Sequence, residues 1–422
     1  MKRRVAVTGL GAVSAAGWGM EPLCEAVRSC RSAIRKQPRQ AFSADGRLGL
    51  VPIPIAAVPG HPTNAPAPPM LDPFAHFAVH AAREALANSG LPESVVAGEQ
   101  TGVVMGTGNG GDQARELAWE RLAEGGRRPH PLTVSKGMCS AAASAISIKM
   151  GITGPAFTLS SACASSAHAI GQAFRMVQYG VVEAVLAGGA EELPGRTQMC
   201  AWQQMRVLAD EPCRPFAEGR SGISLGEGAA VLLLESMDAA VARGAPILAE
   251  IIGFGMGADA HDWFQPSAEG LLRCLRAALR DADVTAREIG YVNAHATGTV
   301  IGDAMEAEAL RSLLGESSAW VSSTKGMHGH AIGASGALEA AITVRALADG
   351  WVPGMPAAET DITGLRLAWQ TGGVPAAWTG KLAISNSFGF GGLNGTLVFR
   401  VPHIEQRKKR QPTNTTAQGA QS

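Results

Sequence analysis

Short apolar runs alternate along the chain with longer segments whose apolar residues recur every three or four positions. The runs at 5–8, 101–105, 157–160, 184–187 and 229–235 predict strands, as do those at 247–254, 291–293, 320–323, 382–385 and 396–399. Helical spacing covers 22–28, 74–87, 113–123, 136–150, 268–282, 303–314 and 334–348. The strands carry apolar side chains on both faces, so both faces are expected to be covered. That is the habit of α/β proteins. Residues 42–69 are rich in Pro and Gly and predict loops and edge strands. A short helix at 237–244 marks a boundary between two halves that each alternate β and α. The chain is therefore expected to divide into 1–245, 246–405 and a polar, frayed tail at 406–422.

Composition narrows this picture. At 422 residues, with 46% hydrophobic and 17% charged residues, the chain has ample core for a large fused architecture. Lys plus Arg and Asp plus Glu are each 36, so no global charge argues for nucleic acid or a membrane surface. Seven scattered cysteines without a CxxC pair argue against a disulfide framework and for a reducing, cytoplasmic setting. Met1-Lys2-Arg3-Arg4 before VAVTGLGAVSAAG mimics a leader, but Gly and Thr break the apolar run, and it reads as strand, turn and helix. No stretch approaches the ~18 apolar residues of a membrane span.

The chemistry begins at AFTLSSACASSAHAIGQAFRMVQYG, residues 156–180. Cys163 follows a strand and opens a helix carrying Ile170, Phe174 and Val177 on one face. Unpaired N–H groups at a helix start lower a thiol pKa and favour thiolate. A lone cysteine is by default an inert core residue. Three later loops change that default, each a short strand followed by polar or Gly residues: YVNAHATGT with His295, WVSSTKGMHGH with Lys325, His328 and His330, and LAISNSFGFGGLNG with Gly389, Phe390 and Gly391. Ligand sites in open α/β sheets lie beyond the carboxyl ends of strands, so four such loops are expected to converge. His328 and His330 stand two apart and suit a metal pair, but no third ligand of suitable spacing is evident, and no metal is expected. A Cys163, His295, Asn293 triad has poor geometry, because Asn293 and His295 share one strand end.

Taken together, the four motifs resemble those of the β-ketoacyl-acyl-carrier-protein synthases of fatty-acid elongation, within the thiolase-like condensing enzymes. The resemblance runs from VAVTGLGAVS to SNSFGFGGLNGTLVF and includes PFAEGRSGISLGEGAAVLLLE. It implies a five-layered α-β-α-β-α fold from two duplicated halves. It implies decarboxylative condensation of an enzyme-bound acyl group with malonyl carrier protein, with Cys163 as nucleophile and His295 and His330 as donors to the enolate. Lys325 would orient the site, and Glu339 would tether its network. The N–H groups of Cys163 and Phe390, the latter in the Gly389–Gly391 turn, would form the oxyanion hole, and Phe390 would gate the acyl pocket. Thr297 and Thr299 would hold a phosphopantetheine arm delivered by the acyl carrier protein, so no resident cofactor is implied. Arg206 falls where such enzymes contact the carrier.

Several positions depart from the usual pattern. Val300 ends the histidine motif, Gly326-Met327-His328 follows the lysine, Ile223 stands where Phe is common, and Asn109 stands where a pocket is usually apolar. A buried Asn needs partners and disfavours a purely aliphatic guest. The expectation is a specialised synthase, for polyenes or polyketides, working as a homodimer or beside a non-catalytic chain-length-factor subunit. A non-catalytic role for this chain itself is disfavoured by Cys163 and the two histidines.

Overall fold

The computed structural model describes residues 2–43, 46–61, 70–356, 358, 360–370 and 377–403; the expected tail at 406–422 lies outside them. Ten strands form its backbone: β1 Val5–Ser14, β2 Thr101–Gly106, β3 Ala156–Leu159, β4 Ala184–Glu191, β5 Gly228–Ser236, β6 Ala249–Ala258, β7 Tyr291–Asn293, β8 Trp320–Ser322, β9 Leu382–Gly389 and β10 Leu393–Arg400. Six helices matter most for the site: α1 Pro73–Ser89, α2 Ala141–Met150, α3 Ser165–Gln178, α4 Ala268–Ala282, α5 Val300–Leu314 and α6 Ser335–Asp349.

The sheet order is β8-β7-β9-β10-β6-β1-β5-β4-β2-β3. Each half uses its five strands in the same order, and with the same directions. The second strand lies parallel to the third and fourth, the fourth is antiparallel to the fifth, and the fifth to the first. The helices repeat too: α1 and α4 follow the first strand, α2 and α5 the second, α3 and α6 the third. The chain is thus an internally duplicated α/β fold. The halves join edge to edge, because Val5–Val7 of β1 pairs with Ile251–Ala249 of β6, giving one continuous sheet.

Five layers result. One apolar cluster puts α1 and α2 on the outside of the first half, another puts α4 and α5 outside the second, and the largest holds α3 and α6 between them. Every residue of β1, β2, β4 and β5 is buried, which explains their unbroken apolar runs. Small residues let α3 and α6 approach: the Ala337 N–H donates to Ser166 Oγ at 2.8 Å. No helix among the described residues is long and apolar enough to cross a membrane.

Two segments differ from expectation. The single helix expected at 136–150 is two, Thr133–Gly137 and Ala141–Met150. The Gly110-Gly111 backbone presses on the break: a Cβ at Gly111 would lie 2.1 Å from Lys136 O, and one at Gly110 2.9 Å from Cys139 Cα. Arg35–Phe42, not expected as a strand, pairs as an antiparallel hairpin with Leu48–Ile55, which lies in the stretch expected to hold loops and edge strands. Its Ala41, Ile53 and Ile55 pack with Trp202, Ile223 and Leu225 in a small apolar cluster against Phe390.

Candidate active site

Cys163 does not sit inside the first turn of α3. It lies two residues before Ser165, in an elbow where Ala162 takes a left-handed φ of 50° and Ala164 caps the helix. Ser165 Oγ holds the elbow, accepting the Ser161 N–H at 2.8 Å and donating to the Ala162 carbonyl at 2.6 Å. The thiol is 4% exposed. Burial pushes it up to about 12, against the opposing pull of the Lys325 charge and of the Phe390 N–H that donates to it. The low thiol pKa expected from a helix start is therefore overturned by desolvation.

His330 is brought to Cys163 from the second half. Its Nε2 lies 3.0 Å from Sγ, and its Nδ1 lies 2.9 Å from Ser335 Oγ at the start of α6. The His295 ring stands at 82° to that of His330, with centroids 5.4 Å apart. Burial and the nearby Lys325 charge hold both imidazoles well below 6.5, so both are neutral at physiological pH. Lys325 is fully buried and ion-paired with Glu339, also fully buried. Desolvation lifts Glu339 to about 7 even with Lys325 beside it.

Two acids on the first two turns of α5, neither singled out from the sequence, shape the His295 loop. The Glu306 carboxylate accepts the N–H groups of His295 at 2.9 Å and Ala296 at 2.7 Å, and Asn386 Nδ2 at 3.2 Å. Asp303 accepts those of Thr297 at 3.0 Å and Gly298 at 3.1 Å. Their three-residue spacing just after HATGT was the available signal. Glu191 was missed as well. It gathers the N–H groups of Gly108, Asn109 and Gly333, and so ties the Gly-rich 106–111 loop to the start of α6.

A cavity of about 380 Å³ opens onto Cys163, His295 and His330. Thr297 and Thr299 line it, their hydroxyls 3.2 Å apart, and so do Ile223, Gly389 and Phe390. Phe390 packs between Trp202 and Phe264, with centroids at 5.8 and 6.0 Å. Gly389 is needed for close approach: a Cβ there would lie 3.2 Å from Cys163 N. Gly391 has φ 78° and donates its N–H to the Trp263 carbonyl, at the mouth. Exposed Arg206 also lines the mouth, with φ 56°. Asn109 is not among the residues that line this cavity, and its backbone N–H donates to Glu191 at 3.0 Å.

His328 and His330, two apart in the sequence, turn to different partners: His328 Nε2 meets Thr324 Oγ1 at 2.9 Å, and His330 meets Cys163 and Ser335. Among the described residues, the one trio of metal-type donors within 4.8 Å of each other is Cys163, His295 and His330. A thiol and two imidazoles suit a soft metal, but the Lys325 ammonium acts on all three and opposes a dication there.

Residues 2–240 match the family described as "Beta-ketoacyl synthase, N-terminal domain", and residues 248–359 its C-terminal counterpart. The chain belongs to the β-ketoacyl synthase family. It is an acyltransferase of the condensing kind, joining an acyl and a malonyl thioester into a 3-oxoacyl thioester with loss of CO₂. The synthase is 37% identical to "Nodulation protein E" of Rhizobium sp. (strain N33), over 95% of this chain and 100% of that one. It is 38% identical to "3-oxoacyl-[acyl-carrier-protein] synthase 2" of Vibrio harveyi, over 94% and 99%. Among solved structures, "The ishigamide ketosynthase/chain length factor" superposes with a TM-score of 0.88 at 28% identity, over 96% and 100%.

Proposed function

We propose that Cys163 carries the growing acyl chain and that His295, His330 and two backbone N–H groups run the condensation on it. The observation that carries this is the 3.0 Å contact between Cys163 Sγ and His330 Nε2 at the head of the cavity. An acyl thioester enters on the phosphopantetheine arm of an acyl carrier protein, with Thr297 and Thr299 hydrogen-bonding the arm and Arg206 meeting the acidic carrier. No resident cofactor is required. Because the thiol is protonated at rest, its proton leaves with the departing pantetheine sulfur, released as a thiol, as the Cys163 sulfur attacks the acyl carbonyl; His330 Nε2 beside it eases that transfer but is not required for it. The oxyanion is held by the N–H groups of Cys163 and Phe390, which the elbow and the Gly389 turn bring beside the sulfur.

Malonyl carrier then takes the same channel. Its thioester carbonyl accepts hydrogen bonds from His295 and His330, neutral imidazoles that stabilise the enolate left when CO₂ departs. The enolate carbon attacks the acyl carbonyl, and the tetrahedral adduct collapses to release the thiolate. Ser335 supports the His330 ring in the condensation, since a hydroxyl can accept from or donate to Nδ1 and so suits either tautomer of His330. Phe390, seated on the Ile223 cluster, gates the acyl pocket. The ion pair of Lys325 with Glu339 sets the field around the three reacting groups.

The test is intact mass after incubation with acyl carrier protein. Wild type gains an acyl adduct and Cys163→Ala does not; an adduct that persists removes Cys163 as nucleophile. His330→Ala still acylates but no longer decarboxylates malonyl carrier, and normal decarboxylation refutes its role. The likeness to a ketosynthase/chain length factor pair supports a second reading, in which this chain works beside a non-catalytic chain-length subunit. Size exclusion and turnover of the chain expressed alone separate the two. The substrate proposed is a polyene or polyketide chain, and equal best activity on ordinary saturated chains sinks it.

A further inference from the structure

Three histidines outside the catalytic cavity gather around one tryptophan. His76 and His80 stand four apart on α1, hence on one face, one turn above the other. His61 approaches from the segment that follows the hairpin. Trp18, in the two-residue strand Gly17–Trp18 that folds back onto β1, touches all three rings: its centroid lies 4.6 Å from that of His61, 5.3 Å from His76 and 4.9 Å from His80. The rings of His61 and His76 are 6.2 Å apart, and those of His61 and His80 5.7 Å. All four side chains are half-buried. The indole is anchored by its Nε1–H, which donates to the Pro59 carbonyl at 2.9 Å, two residues from His61.

Nothing in the condensation uses this cluster, and a histidine pair on a helix is not what an apolar core requires. Two imidazoles at i and i+4, met by a third from another segment, make the donor set of a borderline transition metal. We propose that His61, His76 and His80 bind one divalent first-row ion of the zinc, nickel or copper type, with water as a fourth ligand. Two imidazoles on one tetrahedral ion have centroids roughly 5 Å apart. Binding therefore draws the rings inward by rotation about their side-chain torsions, with Trp18 as the apolar wall on one side. Burial and mutual repulsion hold His76 and His80 below 6.5, which leaves both as neutral ligands at physiological pH. The ion would staple the 56–61 segment to α1, next to Glu84, whose carboxylate accepts the N–H groups of Ala12 at 2.9 Å and Met20 at 2.8 Å and so is already engaged.

The probe is Zn²⁺, Ni²⁺ or Cu²⁺ added to the untagged, chelator-stripped full chain, followed by calorimetry and by tryptophan fluorescence. The expected result is one equivalent bound with micromolar affinity. Cu²⁺ quenches an emission component that is missing in Trp18→Phe. His80→Gln and His61→Gln each weaken binding by at least about 100-fold. His61→Gln lies off the helix and keeps the fold testable should the helix variant misfold. Cys163→Ala binds as wild type does, which separates this site from the catalytic trio. Absence of binding at 100 µM metal, roughly the upper bound of a useful site, overturns the proposal. So does binding that survives both histidine variants or is lost with Cys163.

Discussion

The two halves of this synthase make the same bend and use it differently. In the first half, Ala162 takes a left-handed φ of 50° two residues before the cap of α3; in the second, Ile332 takes 41° two residues before the cap of α6. Cys163 and Gly333 therefore occupy equivalent places. At the first, the elbow holds up a thiol; at the second, no side chain fits, since a Cβ on Gly333 would lie 2.3 Å from Gly108 N. The serines that follow differ in kind. Ser165 braces its own elbow, whereas Ser335 reaches the ring of His330. Duplication supplies two rigid bends facing each other across the middle layer. The chemistry comes from the longer connection in the second half, which adds Lys325 and His330 between β8 and α6.

The largest effect that tests this contrast belongs to the second half alone. Lys325→Met leaves Glu339 buried without its cation and is expected to lose about 3–5 kcal/mol of stability, read by chemical denaturation. A loss below 1 kcal/mol would mean that the pair is not structurally required. Gly333→Ala comes next. It is expected to destabilise by about 2–3 kcal/mol because its new neighbours are backbone, and a neutral result would show the two elbows to be less alike than drawn. Ser335→Ala is expected to lower the condensation rate about tenfold with acylation intact, while Ser165→Ala lowers stability and affects both half-reactions alike. Equal behaviour of the two serines breaks the distinction.

The last effect is in pH. Burial, with Lys325 adding to it, holds His328 down to about 3, while the unfolded chain protonates that ring near 6.5. The unfolded state thus binds the extra proton first, so stability is full above 6.5 and is lost as pH falls through the window toward 3. His328→Asn should flatten that slope in a denaturation series across pH 4–7.

What the amino-acid pattern disclosed followed burial. Strands covered on both faces, such as β4 and β5, stand out because nearly every residue in them is apolar. The hairpin Arg35–Phe42 does not, since it is largely polar and carries Pro38, and its pairing depends on what lies beneath. Cys163, His295, Lys325 and His330 were legible because each follows a strand within a motif. Glu191, Asp303 and Glu306 were not, because their partners are backbone N–H groups, which carry no residue identity. The thiol pKa failed for a related reason: a helix start is visible in a sequence, but the desolvation that outweighs it is a property of the packed site.

The seam between the halves also has a consequence for how the molecule is made. β1 is made before the other nine strands and is wholly buried in the end, yet its two long strand partners, 228–236 and 249–258, come far later in the chain, and until then only Gly17–Trp18 pairs with its last two residues. Until then its natural cover is α1, where the backbone at Gly9 and Gly11 comes so close that a Cβ would lie 2.0 and 1.9 Å from the carbonyls of Ala85 and Ala81. Until those strands appear, the nascent chain carries an apolar ribbon shielded on one face and bare along most of its edges. Such long-range pairing closes late, which puts an aggregation-prone stretch at β1, away from the catalytic centre.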